Sequence, residues 1–157
     1  MPRRSCSVKL RNLSYRFKAM TRDVDEGGSG LGEIYCLYSP REGIPRYVGK
    51  TDHSGHKRWQ QHIAKTLRQE PGAVCEWIQH LFEEGLDPDY HVLQENVIPA
   101  DLTMFEEYWI DQFAGLLNQK GVTAEKAEHT PIGKQIISVI KSKLAAQGAW
   151  QGADPPI

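Results

Sequence analysis

The sequence predicts an α+β domain: a small three-stranded antiparallel sheet flanked by helices, with one more helix appended on the C-terminal side. Three observations carry this. Two short runs rich in aromatic and β-branched residues surround a Pro/Gly turn. Two stretches with apolar residues at helical spacing follow. A third strand-like run comes only after them and leads into another helical stretch, so the order is β-β-α-α-β-α. At 157 residues the chain makes one domain with short extensions, and it is long enough to bury a core without metal or disulfide staples. We divide it into a basic arm with a Gly/Ser joint (1–31), a central domain (32–119) and a C-terminal helix with its tail (120–157).

The arm closes on EGGSGLG, the composition of a flexible joint. From Gly32 to Thr51 the chain reads as a β-hairpin turning through SPREGIP. Ile34, Cys36 and Tyr38 share one face of its first strand, and Tyr35 and Leu37 share the other. After the loop DHSGH, residues 57–69 read as a helix with Trp59, Ile63 and Leu67 on one stripe. Pro71 and Gly72 end it. Residues 73–85 form the next helix around Val74, Trp77, Ile78, Leu81 and Phe82, with Gly85 as its C-cap. Residues 90–98 read as the third strand. PADLTMFEEYWIDQFAGLLN (99–118) reads as a helix apolar at Leu102, Phe105, Trp109, Ile110 and Phe113. Thr130 before Pro131 marks the start of the last helix, which carries Ile136, Ile137, Val139, Ile140 and Leu144.

Hydrophobic residues at 39% and charged residues at 25% fit a soluble globular protein, and no apolar run approaches the length of a membrane span. Cys6, Cys36 and Cys75 form no metal or redox spacing, which suits a reducing compartment; we expect the cytoplasm and no membrane partner. The net charge of −1 conceals segregation. Met1–Arg22 carries seven Lys/Arg and no acid, Arg41–Arg68 seven against two acids, and Gln69–Asp111 eleven acids with no Lys/Arg. A basic face is therefore possible in spite of the overall balance.

Seven polar residues stand out on this layout. Tyr35 lies on the first strand, Tyr47 on the second, and Lys50 ends the second. Arg58 and His62 are four apart and share a helix face. Glu106 lies in the third helical stretch, and Asn118 just after it. In order these residues form IY, YVGKT, RxxxH, ExxWI and LLN. This set resembles the GIY-YIG nuclease family over roughly Gly32 to Gln119. Two positions depart from the family pattern, the first mainly a backbone matter and the second conservative for a strand. Glu33 stands where the family tripeptide begins with Gly, with Gly32 one place earlier, and Val48 is the middle residue of the second tripeptide.

The resemblance implies a metal-dependent endonuclease that hydrolyses DNA phosphodiesters. Glu106 would be the protein ligand of Mg²⁺ or Mn²⁺, with the adjacent Glu107 as the alternative carboxylate. Arg58 would hold phosphate oxygens, where its planar fork suits bidentate contact, and Lys50 would add a second contact. Tyr35 would act as general base. Ionising it at pH 7 needs a drop of roughly three pKa units, about 4 kcal/mol, which the metal, Arg58 and Lys50 would supply. His62 is the competing base, since its ordinary pKa is near neutral. Tyr47 would hydrogen-bond within the site, and Asn118 would fix its geometry.

Each residue also has an ordinary explanation. Strand tyrosines usually pack with a satisfied hydroxyl, helix arginines are usually solvated, and Asn118 could simply close a turn. Asp52, His53 and His56 match no strong zinc pattern. Trp59, Trp77 and Trp109 read as core. The arm's bases, together with Lys134, Lys141 and Lys143, offer sequence-independent phosphate contacts. The rival expectation is an inactive relative of the same fold that binds nucleic acid or protein. The site residues alone do not choose between DNA and RNA.

Overall fold

The computed structural model describes residues 30–118 and 128–148. It is α+β, with a three-stranded antiparallel sheet between helices. Strands β1 (Gly32–Tyr38), β2 (Pro45–Thr51) and β3 (Asp89–Val97) lie in the order β2-β1-β3, so β1 is central. Helices α1 (Gly55–Leu67) and α2 (Ala73–Glu83) connect β2 to β3. A short 3₁₀ turn (Pro99–Asp101) leads into α3 (Leu102–Ile110), and α4 (Pro131–Ala146) follows. Most of the basic arm, Cys6 and the C-terminal tail lie outside the described residues.

The alternation expected on β1 sorts the core into two. Ile34, Cys36 and Tyr38 pack with Val48 against Leu102, Trp109 and Phe113, and against Ile137, Ile140 and Leu144 of α4. Tyr35 and Leu37 face the other way, into Trp59, Ile63, Ile78 and Phe82 of α1 and α2. Successive side chains of a strand point to opposite faces, so a buried central strand must feed both layers. Cys36 and Cys75 are buried free thiols.

Element ends follow local chemistry. α1 begins two residues before the expected Lys57 because Ser54 accepts the Lys57 N–H in its side chain and caps the helix there. Thr130 caps α4 in the same way by accepting from Gly133 N, one residue before Pro131. Gly85, at φ +82°, turns the chain out of α2.

The third helical stretch is a correction. A helix was expected over 99–118, and α3 ends at Ile110. Phe113 and Leu116 continue the apolar spacing and are buried, yet not on a helix. The backbone beyond Asp111 is committed to other partners. Gln112 O accepts from Thr130 N, Ala114 N donates to His129 Nδ1, and Leu117 N donates to Arg46 O at 2.6 Å. Gly115 at φ +77° permits the turn.

Candidate active site

Register builds the centre of the site. Tyr35 on β1 pairs with Gly49 on β2, and its ring lies over that glycine. A Cβ at Gly49 would stand 2.5 Å from the Tyr35 hydroxyl, so only glycine leaves room for the ring. Tyr47, two residues away on the same face, has its ring centroid 6.2 Å from that of Tyr35. From α1, His62 completes the cluster. Its Nε2 is 2.9 Å from the Tyr35 hydroxyl oxygen, and its ring meets Tyr47 edge-on at 5.3 Å.

Burial sets the protonation of this cluster. Tyr35 is fully buried, which pushes its hydroxyl up; the nearby Tyr47 adds to this, and the Arg58 guanidinium pulls down without prevailing. The expected low-titrating phenol is therefore not what the protein's own groups provide. Lys50 contributes nothing there because it leaves β2 from the opposite face, paired with Ile34. Its ammonium donates to Thr103 Oγ1 on α3 at 2.6 Å. Burial, with Arg58 and Lys65 adding positive charge, lowers His62 to about 4, so at neutral pH it is an uncharged imidazole. With its hydrogen on Nδ1, Nε2 accepts from Tyr35. Tyr47 is only half-buried and is also raised by burial, while Arg58 lowers it and Glu106 raises it.

Glu106 reaches the same region from the other side of the sheet. It is half-buried, whereas Glu107 is exposed. Burial raises its carboxyl, the Lys50 ammonium and backbone N–H lower it, and Glu107 raises it again. The site thus wraps around β2, an edge strand, with Tyr35, Tyr47, Arg58 and His62 on one side and Lys50 and Glu106 on the other. Asn118 holds that edge. Its Nδ2 donates to Val48 O at 2.6 Å, and its Oδ1 accepts from Val48 N at 3.5 Å, next to Tyr47 in the chain.

An open groove of about 380 Å³ runs past the end of β2. Lys50 and Leu102 line one side, Lys57, Arg58 and Gln61 the other, with Thr51, Asp52 and His53 between them. Arg58 donates to Gln61 across one helical turn. Lys50, Lys57 and Arg58 against the single carboxylate of Asp52 give the groove a basic lining.

Lys57 and Gln61 were not singled out in the sequence, although Lys57 is the direct neighbour of Arg58. The steric role of Gly49 was also missed; its signal is its place directly across from an aromatic residue, which needs the register to be seen. His53 lies 3.7 Å from Asp52, but His56 turns away to bond the Tyr90 hydroxyl at 3.0 Å. Among the described residues no three His, Cys, Asp or Glu side chains converge as a metal cage. A single half-buried carboxylate fits a hard divalent ion that keeps most of its water, as Mg²⁺ does. Lys134, Lys141 and Lys143 lie on α4, and none of them lines the groove. Compared with family models, with curated proteins and with solved structures, the chain finds no match in any of the three.

Proposed function

We propose that the chain is a metal-dependent endonuclease of the GIY-YIG type acting on DNA. One observation carries the reading: Tyr47, the Tyr35–His62 pair, Arg58 and Glu106 converge around the β2 edge beside a basic groove. These residue types suit phosphodiester hydrolysis, and a binding module has no evident need for Tyr35, Tyr47, Arg58 and Glu106 together.

Lys50, Lys57 and Arg58 hold the phosphate chain in the groove. Arg58 takes the non-bridging oxygens of the scissile phosphate, where its fixed fork matches two acceptors. Glu106 would hold Mg²⁺ or Mn²⁺, which when bound supplies polarisation of the phosphate and stabilisation of the leaving oxygen. Tyr35 remains a neutral phenol in the resting site. The attacking water would give its proton to the Tyr35 oxygen as the phenol gives its own to His62 Nε2, and because burial holds that imidazole at about 4, the negative charge of the bound phosphodiester would have to raise it for the transfer. Tyr47 is the more exposed of the two phenols and packs against both Tyr35 and His62.

One observation favours the second reading, an inactive nucleic-acid-binding relative: Tyr35 is fully buried, as a packing tyrosine would be. Plasmid cleavage with Mg²⁺, Mn²⁺ or EDTA decides between them, wild type beside Glu106→Ala. Metal-dependent nicking that disappears in the variant supports the nuclease. DNA binding without cutting under either metal supports the inactive relative.

A further inference from the structure

We propose that Glu33 is a positioning residue: its carboxylate clasps the N-terminus of α1 onto β1 and so fixes Tyr35 against the helix face that carries Arg58 and His62. The geometry stands by itself; its effect on catalysis rests on the nuclease reading.

Glu33, Tyr35 and Leu37 are successive side chains on the α1 face of β1. Each meets the helical layer differently. Glu33 Oε1 accepts the Gly55 N–H at 2.7 Å, Tyr35 bonds His62 at 2.9 Å, and Leu37 joins the apolar core. Two polar contacts, to the first residue of α1 and to a residue two turns on, thus lock strand to helix. The approach is as close as the backbone allows. A Cβ at Gly55 would stand 2.9 Å from Tyr35 Cβ and 3.3 Å from Val92 Cγ2. The first N–H groups of a helix have no partner within it, and the Ser54 side chain serves only Lys57 N. Glu33 supplies the partner for Gly55 and matches the positive end of the helix dipole. Glu33 stands where the resembling family has Gly, a residue with no side chain to make this contact.

The test compares Glu33→Gln, Glu33→Asp and Glu33→Ala in the full chain. It reads single-turnover DNA cleavage with Mg²⁺, DNA binding in EDTA, and the ring ¹⁵N shifts of His62. Gln keeps an oxygen acceptor at the same reach, Asp keeps the charge but is one methylene short, and Ala keeps neither. We expect Gln to cut within about threefold of wild type, and Asp and Ala to cut about 10–100-fold more slowly with DNA affinity nearly unchanged, since a small displacement of reacting groups costs rates of that order. The His62 shifts should move in Asp and Ala and return in Gln. Equal cleavage and unmoved His62 shifts in folded Asp and Gln variants would overturn the proposal, and that pair decides the matter even if Ala does not fold. If wild type never cuts, the nuclease reading fails alone: the His62 shifts still decide for or against the clasp.

Discussion

The Tyr35 hydroxyl oxygen and His62 Nε2 lie 2.9 Å apart in the buried layer between β1 and α1, and each determines what the other can do. His62, uncharged at neutral pH, offers the phenol a lone pair for its hydrogen bond. The phenol gives the buried imidazole a partner it would otherwise lack.

Tyr35→Phe should therefore show two effects. It leaves His62 Nε2 without a partner, which should cost about 1–3 kcal/mol in urea unfolding. It also removes the proton relay, which should slow cleavage about 10²–10⁴-fold with little change in DNA affinity. Full cleavage by the variant would remove Tyr35 from the chemistry.

The His62 pKa of about 4 makes stability pH-dependent with a definite sign. It lies below the ordinary 6.5, so between these values the unfolded chain binds more protons than the folded one. This contribution is complete above about pH 6.5 and fades as pH falls toward 4; it amounts to about 3 kcal/mol across the window. Denaturant melts at pH 7, 5.5 and 4 should show the loss, and His62→Asn, which keeps a neutral acceptor, should flatten it. An unchanged slope would assign the acid sensitivity to other groups.

Gly49 should tolerate no side chain. In Gly49→Ala the new methyl collides with the Tyr35 hydroxyl, and overpacking of this kind costs about 1–3 kcal/mol. The ring must also turn away from His62, so cleavage should fall more than thermal stability explains. Glycine is needed here for space and not for an unusual backbone angle. The methyl would also stand 2.7 Å from Tyr35 Cζ and 2.9 Å from Cε1, ring carbons that phenylalanine keeps, so Gly49→Ala combined with Tyr35→Phe should recover neither stability nor activity.

The groove cations should be separable from the carboxylate. Lys57→Ala and Lys50→Ala should each weaken DNA binding across sequences and reduce the salt slope by about 0.9 for each phosphate no longer neutralised. Glu106→Gln should leave that slope intact and abolish cleavage, and Glu107→Ala should change neither slope nor cleavage, because Glu106 is half-buried toward Lys50 while Glu107 is exposed. Loss of cutting in Glu107→Ala alone would move the metal to the neighbouring carboxylate.

Asn118→Asp keeps an acceptor for Val48 N but sets a carboxylate against Val48 O, now 2.6 Å from a donor. The edge of β2 should loosen beside Tyr47, seen as faster amide exchange at Val48 and slower cleavage. Asn118→Ala should be milder, since it leaves groups unpaired without adding repulsion.

Period-two alternation in β1 determined, from sequence alone, that Tyr35 and Leu37 oppose Ile34, Cys36 and Tyr38. Helical spacing determined that Arg58 and His62 share a face, and Thr130–Pro131 determined where α4 begins. These are local patterns, written into neighbouring residues by backbone geometry. Tertiary structure decided the rest. The end of α3 depends on hydrogen bonds to β2 and α4, which no spacing of Phe113 and Leu116 can announce. Lys50 joins Thr103 and not Tyr35 because the strand sends residues 47 and 50 to opposite faces of a sheet whose two sides pack different helices. The titration of Tyr35 and His62 reverses the simple expectation for a catalytic phenol because desolvation acts on a group only once distant segments close over it. Glu33 and Gly49 acquire their roles in the same way: one needs the start of α1 and the other the β1–β2 register, and both are contacts between segments that folding brings together.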